Sequence, residues 1–220
     1  MRFIHMADVH LGEAPEKWDE FYEVMNLCEE EKTDLLLIAG DLFDNLPDME
    51  SLKKVDVAFG KLSKTRVVMI AGNHDYLKRT SHYFDLVFPE NVTFLVNANG
   101  DSVIFSDMNV EVFGLSYEMP EIEDARYDKL KINDGGRINI LLAHGNIRGE
   151  DKSIPIHQEA VEKAGFDYAA LGHLHTRIEV SNRIAYTGSK GYIRGEIVKE
   201  AGKPSIPCWV YVPYKNAKED

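Results

Sequence analysis

Largely apolar runs of four to six residues recur along this chain, at 2–6, 35–39, 67–71, 138–143 and 168–171. Short runs that are apolar at both parities predict strands buried on both faces, as in the parallel part of a sheet. Between the first two lies a stretch with a different period. Trp18, Phe21, Tyr22, Met25 and Cys28 recur at helical spacing over 16–31, which predicts an amphipathic helix whose aromatic stripe packs on the core. Ser51 is a candidate cap for a second helix reaching about residue 63, with Leu52, Val55, Phe59 and Leu62 on one face. The first 75 residues thus read strand, helix, strand, helix, strand.

From residue 92 the texture changes to shorter strands, at 92–96, 102–105 and 110–115, the last two joined by a hairpin at 106–109. A helix near 157–164 and strands around Ile178, Ile184 and 208–212 accompany the later apolar runs. Residues 120–136 form a polar excursion and 215–220 a loose polar tail. Two sheets packed face to face with helices outside satisfy this order most simply. The expected fold is therefore α/β, a four-layer αββα sandwich of two mixed sheets, with residues 1–214 as one domain and no capping domain.

Composition narrows the function. A chain of 220 residues, 44% of them hydrophobic, buries one sizeable core. The net charge of −12 argues against tight coating of DNA or RNA, because sequence-independent binding needs Lys and Arg to neutralise phosphates. A polyanionic substrate would have to be held locally. No apolar run reaches the length of a membrane helix, and Met1 leads directly into a strand, so a cytoplasmic protein is expected. Cys28 and Cys208 lie far apart among hydrophobic neighbours and read as buried thiols.

The five apolar runs end in residues that core packing does not ask for. Asp8 and His10 come after the first, Gly40 and Asp41 after the second, Gly72, Asn73 and His74 after the third, His144 after the fourth, and Gly172, His173 and His175 after the fifth. Ligands of α/β sheets bind outside the carboxyl ends of the strands, so these five turns should meet at one rim. Asp8 and His10 are two apart in an extended segment and can chelate one ion; His173 and His175 repeat that geometry. Mixed imidazole and carboxylate donors suit zinc, manganese or iron better than calcium or magnesium. Asp41, in a tight turn, can bridge two ions roughly 3.5–4 Å apart, and Asn73 adds a neutral oxygen. Two divalent ions facing only the Asp8 and Asp41 carboxylates would keep a surplus charge of about +2, which favours hydroxide and phosphate together. Singly, each turn reads as ordinary Gly, Asn or Asp turn chemistry. Five such turns at the ends of five strands do not.

The motifs Asp8-Val9-His10, Gly40-Asp41-Leu42-Phe43-Asp44, Gly72-Asn73-His74-Asp75, Ala143-His144-Gly145 and Gly172-His173-Leu174-His175 resemble, in their order, those of the calcineurin-like metallophosphoesterases. The resemblance implies that Asp8, His10, Asp41 and His175 hold one metal and that Asp41, Asn73, His144 and His173 hold the other. It further implies that His74 is a general acid oriented by Asp44 rather than a ligand. Within that family the motifs look like those of the SbcD-type DNA-repair exonucleases, as does the turn Tyr186-Thr187-Gly188-Ser189 after the last ligand. Of the ions that suit these donors, manganese is the expected one, with iron or zinc as alternatives, and the narrower likeness implies a DNA substrate and an ATPase partner. Arg148, Lys152 and Arg177, with Lys190 and Arg194, are the candidate substrate-binding cations. The expected activity is phosphodiester hydrolysis by metal-activated hydroxide, on DNA as an exonuclease or single-strand endonuclease. The alternatives are a small nucleotide or other phosphoester, and a non-catalytic scaffold.

Overall fold

The computed structural model describes residues 1–149, 151–200 and 205–217. The first half builds β1 (Arg2–Met6), α1 (Glu16–Glu31), β2 (Leu35–Ala39), α2 (Met49–Gly60), β3 (Arg66–Ile70) and β4 (Val92–Phe94). The hairpin β5 (Asp101–Phe105) and β6 (Val110–Gly114) comes next, and then β7 (Ile138–His144), α3 (Gln158–Ala164), β8 (Tyr168–Gly172), β9 (Ile178–Ser181), β10 (Ile184–Tyr186), β11 (Gly191–Val198) and β12 (Ile206–Pro213). These strands form two mixed six-stranded sheets, in the orders β12-β11-β1-β2-β3-β4 and β5-β6-β7-β8-β10-β9.

The double-sided burial of the apolar runs is a consequence of the layering. On β1 and β2, Ile4, Met6, Leu36 and Ile38 pack against Phe21, Val24, Leu52 and Phe59 of α1 and α2. Their alternates Phe3, Leu35, Leu37 and Ala39 meet Ile140, Leu142, Tyr168 and Ala170 of the other sheet. Leu141, Ala143, Ala169 and Leu171 point away from that interface, towards Val161 of α3, Phe166 and Tyr127. The result is the expected αββα sandwich.

Four local expectations need correction. Asp48, not Ser51, caps α2: its side chain accepts the Ser51 backbone N–H at 2.7 Å. Cys28 is buried, but Cys208 is exposed, because β12 is an edge strand and Ile206, Cys208 and Val210 sit on its uncovered face. The strand β11 is one the periodicity did not predict. The polar excursion at 120–136 carries a short 3₁₀ turn, Arg126–Lys129, and buries Ile122 and Tyr127. Of the expected polar tail, residues 218–220 lie outside the described residues.

Candidate dinuclear metal centre

The parallel strands β1, β2, β3, β7 and β8 run in register, so their carboxyl ends share one rim, and the five turns there bring the candidate ligands together. The turns are tight. Asp8, His10, Asp41 and His173 all adopt positive φ, at 52°, 55°, 49° and 99°. A non-glycine residue in this region is strained by about 1–3 kcal/mol, and such strain gathers at functional sites. The two sheets also approach closely here: a Cβ on Gly172 would lie 2.1 Å from the Ala39 carbonyl oxygen, and one on Gly72 would lie 2.2 Å from Asp41 Oδ1. Glycine is therefore required at both positions by close contact.

The donor atoms face one another. His10 Nε2 and His175 Nε2 are 3.0 Å apart, and His175 Nε2 lies 4.0 Å from Asp8 Oδ1. His144 Nε2 lies 3.2 Å from Asp41 Oδ2 and 2.9 Å from Asn73 Oδ1, which His173 Nδ1 approaches to 3.0 Å. Among the described residues, three sets of donor atoms fall within 4.8 Å of one another: Asp8, His10 and His175; Asp8, Asp41 and His144; and His10, Asp41 and His74. The first lies wholly within one expected ligand set, whereas the second joins Asp8 of that set to His144 of the other through Asp41. The third brings His74 within reach of a ligand position, although the resemblance implies an acid there.

Tautomers are set from outside the cluster. His144 Nδ1 donates to the Ala39 carbonyl at 2.8 Å, which turns Nε2 inward, and His74 Nδ1 donates to the Asp44 carbonyl at 2.9 Å. The expected orientation of His74 by Asp44 thus runs through its main chain, the Asp44 carboxylate being 3.8 Å away. That carboxylate lies nearer His10, 3.3 Å from Nδ1, though without hydrogen-bond geometry.

Electrostatics fit a cation-binding cluster. Burial pushes the Asp8 carboxyl up to about 7, with the Asp41 charge adding to it and His144 opposing it. Burial also opposes ionisation of Asp41, but His144 outweighs that penalty and holds its carboxyl below the usual range. His144 itself is raised to about 9: burial disfavours its charge, and the attraction of Asp41 overcomes this. Burial lowers His10 to about 4 and also lowers His173 and His175, which favours neutral imidazoles with lone pairs to offer. Buried carboxylates that draw a proton onto a buried imidazole are a donor set in need of positive charge.

Two buried features of the rim carry no role in the motif reading. Asp75 accepts from Gly72 N–H at 2.8 Å, from Phe43 N–H at 3.3 Å and from the Tyr83 hydroxyl at 2.9 Å, so it ties the second and third turns together. The Tyr186 hydroxyl donates to the Gly145 carbonyl and accepts the Ile147 N–H, each at 3.0 Å. Asp75 was visible as the last residue of its motif. Tyr186 showed no signal beyond the turn it opens, whose Ser189 N–H donates to the His175 carbonyl at 3.1 Å.

A groove of about 490 Å³ opens beside the cluster, lined by His10, Asp44, His74, His175, Ser189 and Lys190 together with Glu13, Glu16, Lys17 and Glu20. Lys17 is within 3.2 Å of Glu20. Of the candidate substrate-binding cations, Lys190 lines this groove. Arg148 is exposed on the loop after β7, Lys152 pairs with Glu121 at 3.0 Å, Arg177 stacks over Tyr211 at 4.8 Å, and Arg194 pairs with Glu31 at 3.0 Å.

Five strand-end turns converging on clustered imidazoles and carboxylates in an αββα sandwich define the class: a metal-dependent phosphoesterase. The chain matches the calcineurin-like phosphoesterase family over residues 1–177 and belongs to it. It is 30% identical to the DNA double-strand break repair protein Mre11 of Methanocaldococcus jannaschii, with 86% of this chain and 56% of that protein covered. It is 28% identical to the uncharacterized metallophosphoesterase YhaO of Bacillus subtilis, covering 92% and 55%. The chain thus spans about half the length of these relatives. Among solved structures, GAP50, the anchor in the inner membrane complex of Plasmodium, superposes with a TM-score of 0.60 at 12% identity, over 99% of this chain and 86% of that one. A dimetal phosphatase from Danio rerio gives a TM-score of 0.52 at 9% identity, over 98% and 99%. These two likenesses concern the fold alone. Among the described residues, no helix is long and apolar enough to cross a membrane.

Proposed function

We propose that this chain is a dinuclear-metal phosphodiesterase that cleaves DNA at ends or in single strands. The observation that carries the reading is the convergence of Asp8, His10, Asp41, Asn73, His144, His173 and His175 at one rim, beside His74 and an open groove. Asp8, His10, Asp41 and His175 would hold one ion, and Asp41, Asn73, His144 and His173 the other. Manganese is the proposed ion, since imidazole, carboxylate and amide donors are mixed here. Bound there, two divalent ions supply the positive charge that holds a phosphate and makes water a better nucleophile.

The remaining chemistry belongs to the chain. His74 is exposed at the groove and its Nδ1 is engaged by the Asp44 carbonyl, so its Nε2 is left to donate a proton to the leaving oxygen. The likeness to an archaeal DNA double-strand break repair protein supports DNA as the substrate, and an ATPase partner and a cytoplasmic setting belong to the same proposal. One observation favours a second reading, a small phosphoester. Glu13, Glu16 and Glu20 wall the groove and repel a long polyanion laid along it.

The two readings separate in one experiment. Manganese-loaded protein is offered a chromogenic phosphodiester, a set of nucleotides, and single- and double-stranded DNA. Cleavage of single-stranded DNA or duplex ends is the expected result. Hydrolysis of the diester or nucleotides with no DNA cleavage at any manganese concentration would transfer the assignment to a small substrate.

A further inference from the structure

The side chain of His173 is held from both ends. Its Nδ1 faces Asn73 Oδ1 at 3.0 Å, inside the cluster, while its Nε2 lies 2.9 Å from Asp151 Oδ2, on the loop between β7 and α3. That carboxylate is itself fixed. Asp151 Oδ2 also accepts from Asn146 Nδ2 at 2.8 Å, and Oδ1 accepts from the Ser153 N–H at 2.9 Å and from the Ser153 hydroxyl. Asn146 is anchored in turn, its N–H donating to the Ile154 carbonyl and its carbonyl accepting the Ile156 N–H, each at 3.0 Å. Asn146, Asp151 and Ser153 therefore staple the loop, and the carboxylate among them points at one ring nitrogen.

An ionised carboxylate only accepts, so the proton of this contact sits on His173 Nε2. The neutral ring then carries its lone pair on Nδ1, the atom turned towards Asn73 and the centre. The backbone of His173 does not set this by itself: its N–H donates to Asp8 Oδ1 and Oδ2 at 2.9 and 3.1 Å, which fixes the main chain but leaves the ring free to turn.

We infer that Asp151 is a positioning residue for the second metal site: it selects the Nε2–H tautomer of His173 and aims Nδ1 at the ion. The inference rests on the proposed metal centre. A metal-ligating histidine commonly donates its other N–H to a carboxylate, and loss of that partner costs about 10- to 100-fold in metal affinity.

The test uses this chain as wild type, Asp151→Ala and Asp151→Asn. Long-range nitrogen–proton NMR on metal-free protein reads the His173 tautomer, and manganese titration reads the affinity of each ion. Wild type should show the Nε2–H form. Asp151→Ala should mix the tautomers and weaken one ion by about 10- to 100-fold while the other is unchanged. Asp151→Asn, which keeps an acceptor oxygen without the charge, should fall between the two. Thermal melts of the metal-free variants report on the loop itself. Loss of melting temperature with unchanged ion affinity would mean that Asp151 only braces the loop, and would overturn the inference. If wild type takes up two ions and Asp151→Ala binds both as tightly, only this inference fails. If wild type takes up no second ion, the metal-centre reading fails and the inference with it.

Discussion

At the scale of single residues, the proposed function gives the eight side chains of the cluster two kinds of duty, and substitution separates them. His74 and His173 are both imidazoles near the same carboxylates, yet His173 Nδ1 converges on Asn73 whereas His74 Nδ1 is spent on a main-chain carbonyl. His74→Ala should therefore retain both ions and lose turnover by about 10²–10⁴, the usual worth of a positioned acid. His173→Ala should lose the second ion. Metal analysis alongside initial rates decides this, and an empty site in His74→Ala would make His74 a ligand, the role its grouping with His10 and Asp41 also allows. Asp41 bears a different prediction. It is 1% exposed, its Oδ1 accepts the His74 backbone N–H at 2.9 Å, and its Oδ2 faces His144, so it stands between the two halves of the cluster. Asp41→Asn removes one charge from both halves, and purified variant should carry well under one ion per chain. Two tightly held ions in that variant would rule out a bridging carboxylate.

At the scale of elements, the strand ends were legible in the sequence because metal chemistry restricts residue type severely: Asp8, His10, Asp41, His173 and His175 cannot all be explained by turn preference. Elements set by through-space pairing were less legible. Gly191, Arg194, Gly195 and Glu196 break any clean alternation in β11, yet the strand forms because β1 and β12 pair with it on both sides. Asp48 and Ser51 are both competent caps three residues apart, and only the hydrogen bond shows which is used. Asp151 sits in a polar loop with no local signal, since its meaning lies in a partner 22 residues away. The strand β1 also carries a buried titratable group between the sheets. His5 is 0% exposed, with Nδ1 3.0 Å from the Tyr168 hydroxyl. Burial drives its pKa down to about 3 from 6.5, with a backbone interaction at Leu171 offsetting part of the shift. The folded state thus favours the neutral ring, so this contribution to stability is complete above pH 6.5 and is lost as pH falls from there towards 3. At pH 5 the loss amounts to about 2 kcal/mol. Urea melts of wild type and His5→Gln at equal metal content should show the gap between them narrowing by that amount from pH 7.5 to pH 5; a pH-independent gap would refute the assignment.

At the scale of the whole molecule, charge and site pull in opposite directions. The chain carries −12, while two divalent ions against Asp8 and Asp41 would leave the centre with a local surplus of about +2. Attraction for a phosphate is then short-ranged, and outside the centre it meets Glu13, Glu16 and Glu20 on the groove wall. Of the cations lining that groove, Lys17 lies against Glu20, and Lys190 is the one expected to face a phosphate beside the centre. A nucleic acid would be gripped at the scissile phosphate and its immediate neighbours, with the rest of the strand in solvent. Each neutralised phosphate contributes about 0.7 to the slope of log affinity against log salt for a single strand. Two or three contacts thus predict a slope of about −1.5 to −2. Binding of single-stranded DNA, measured with the slowed His74→Ala protein loaded with manganese, should show that shallow dependence, and chelation of the metal should abolish binding altogether. A slope steeper than about −4, or binding that survives chelation, would require an extended basic surface. It would place the affinity for DNA outside the metal centre.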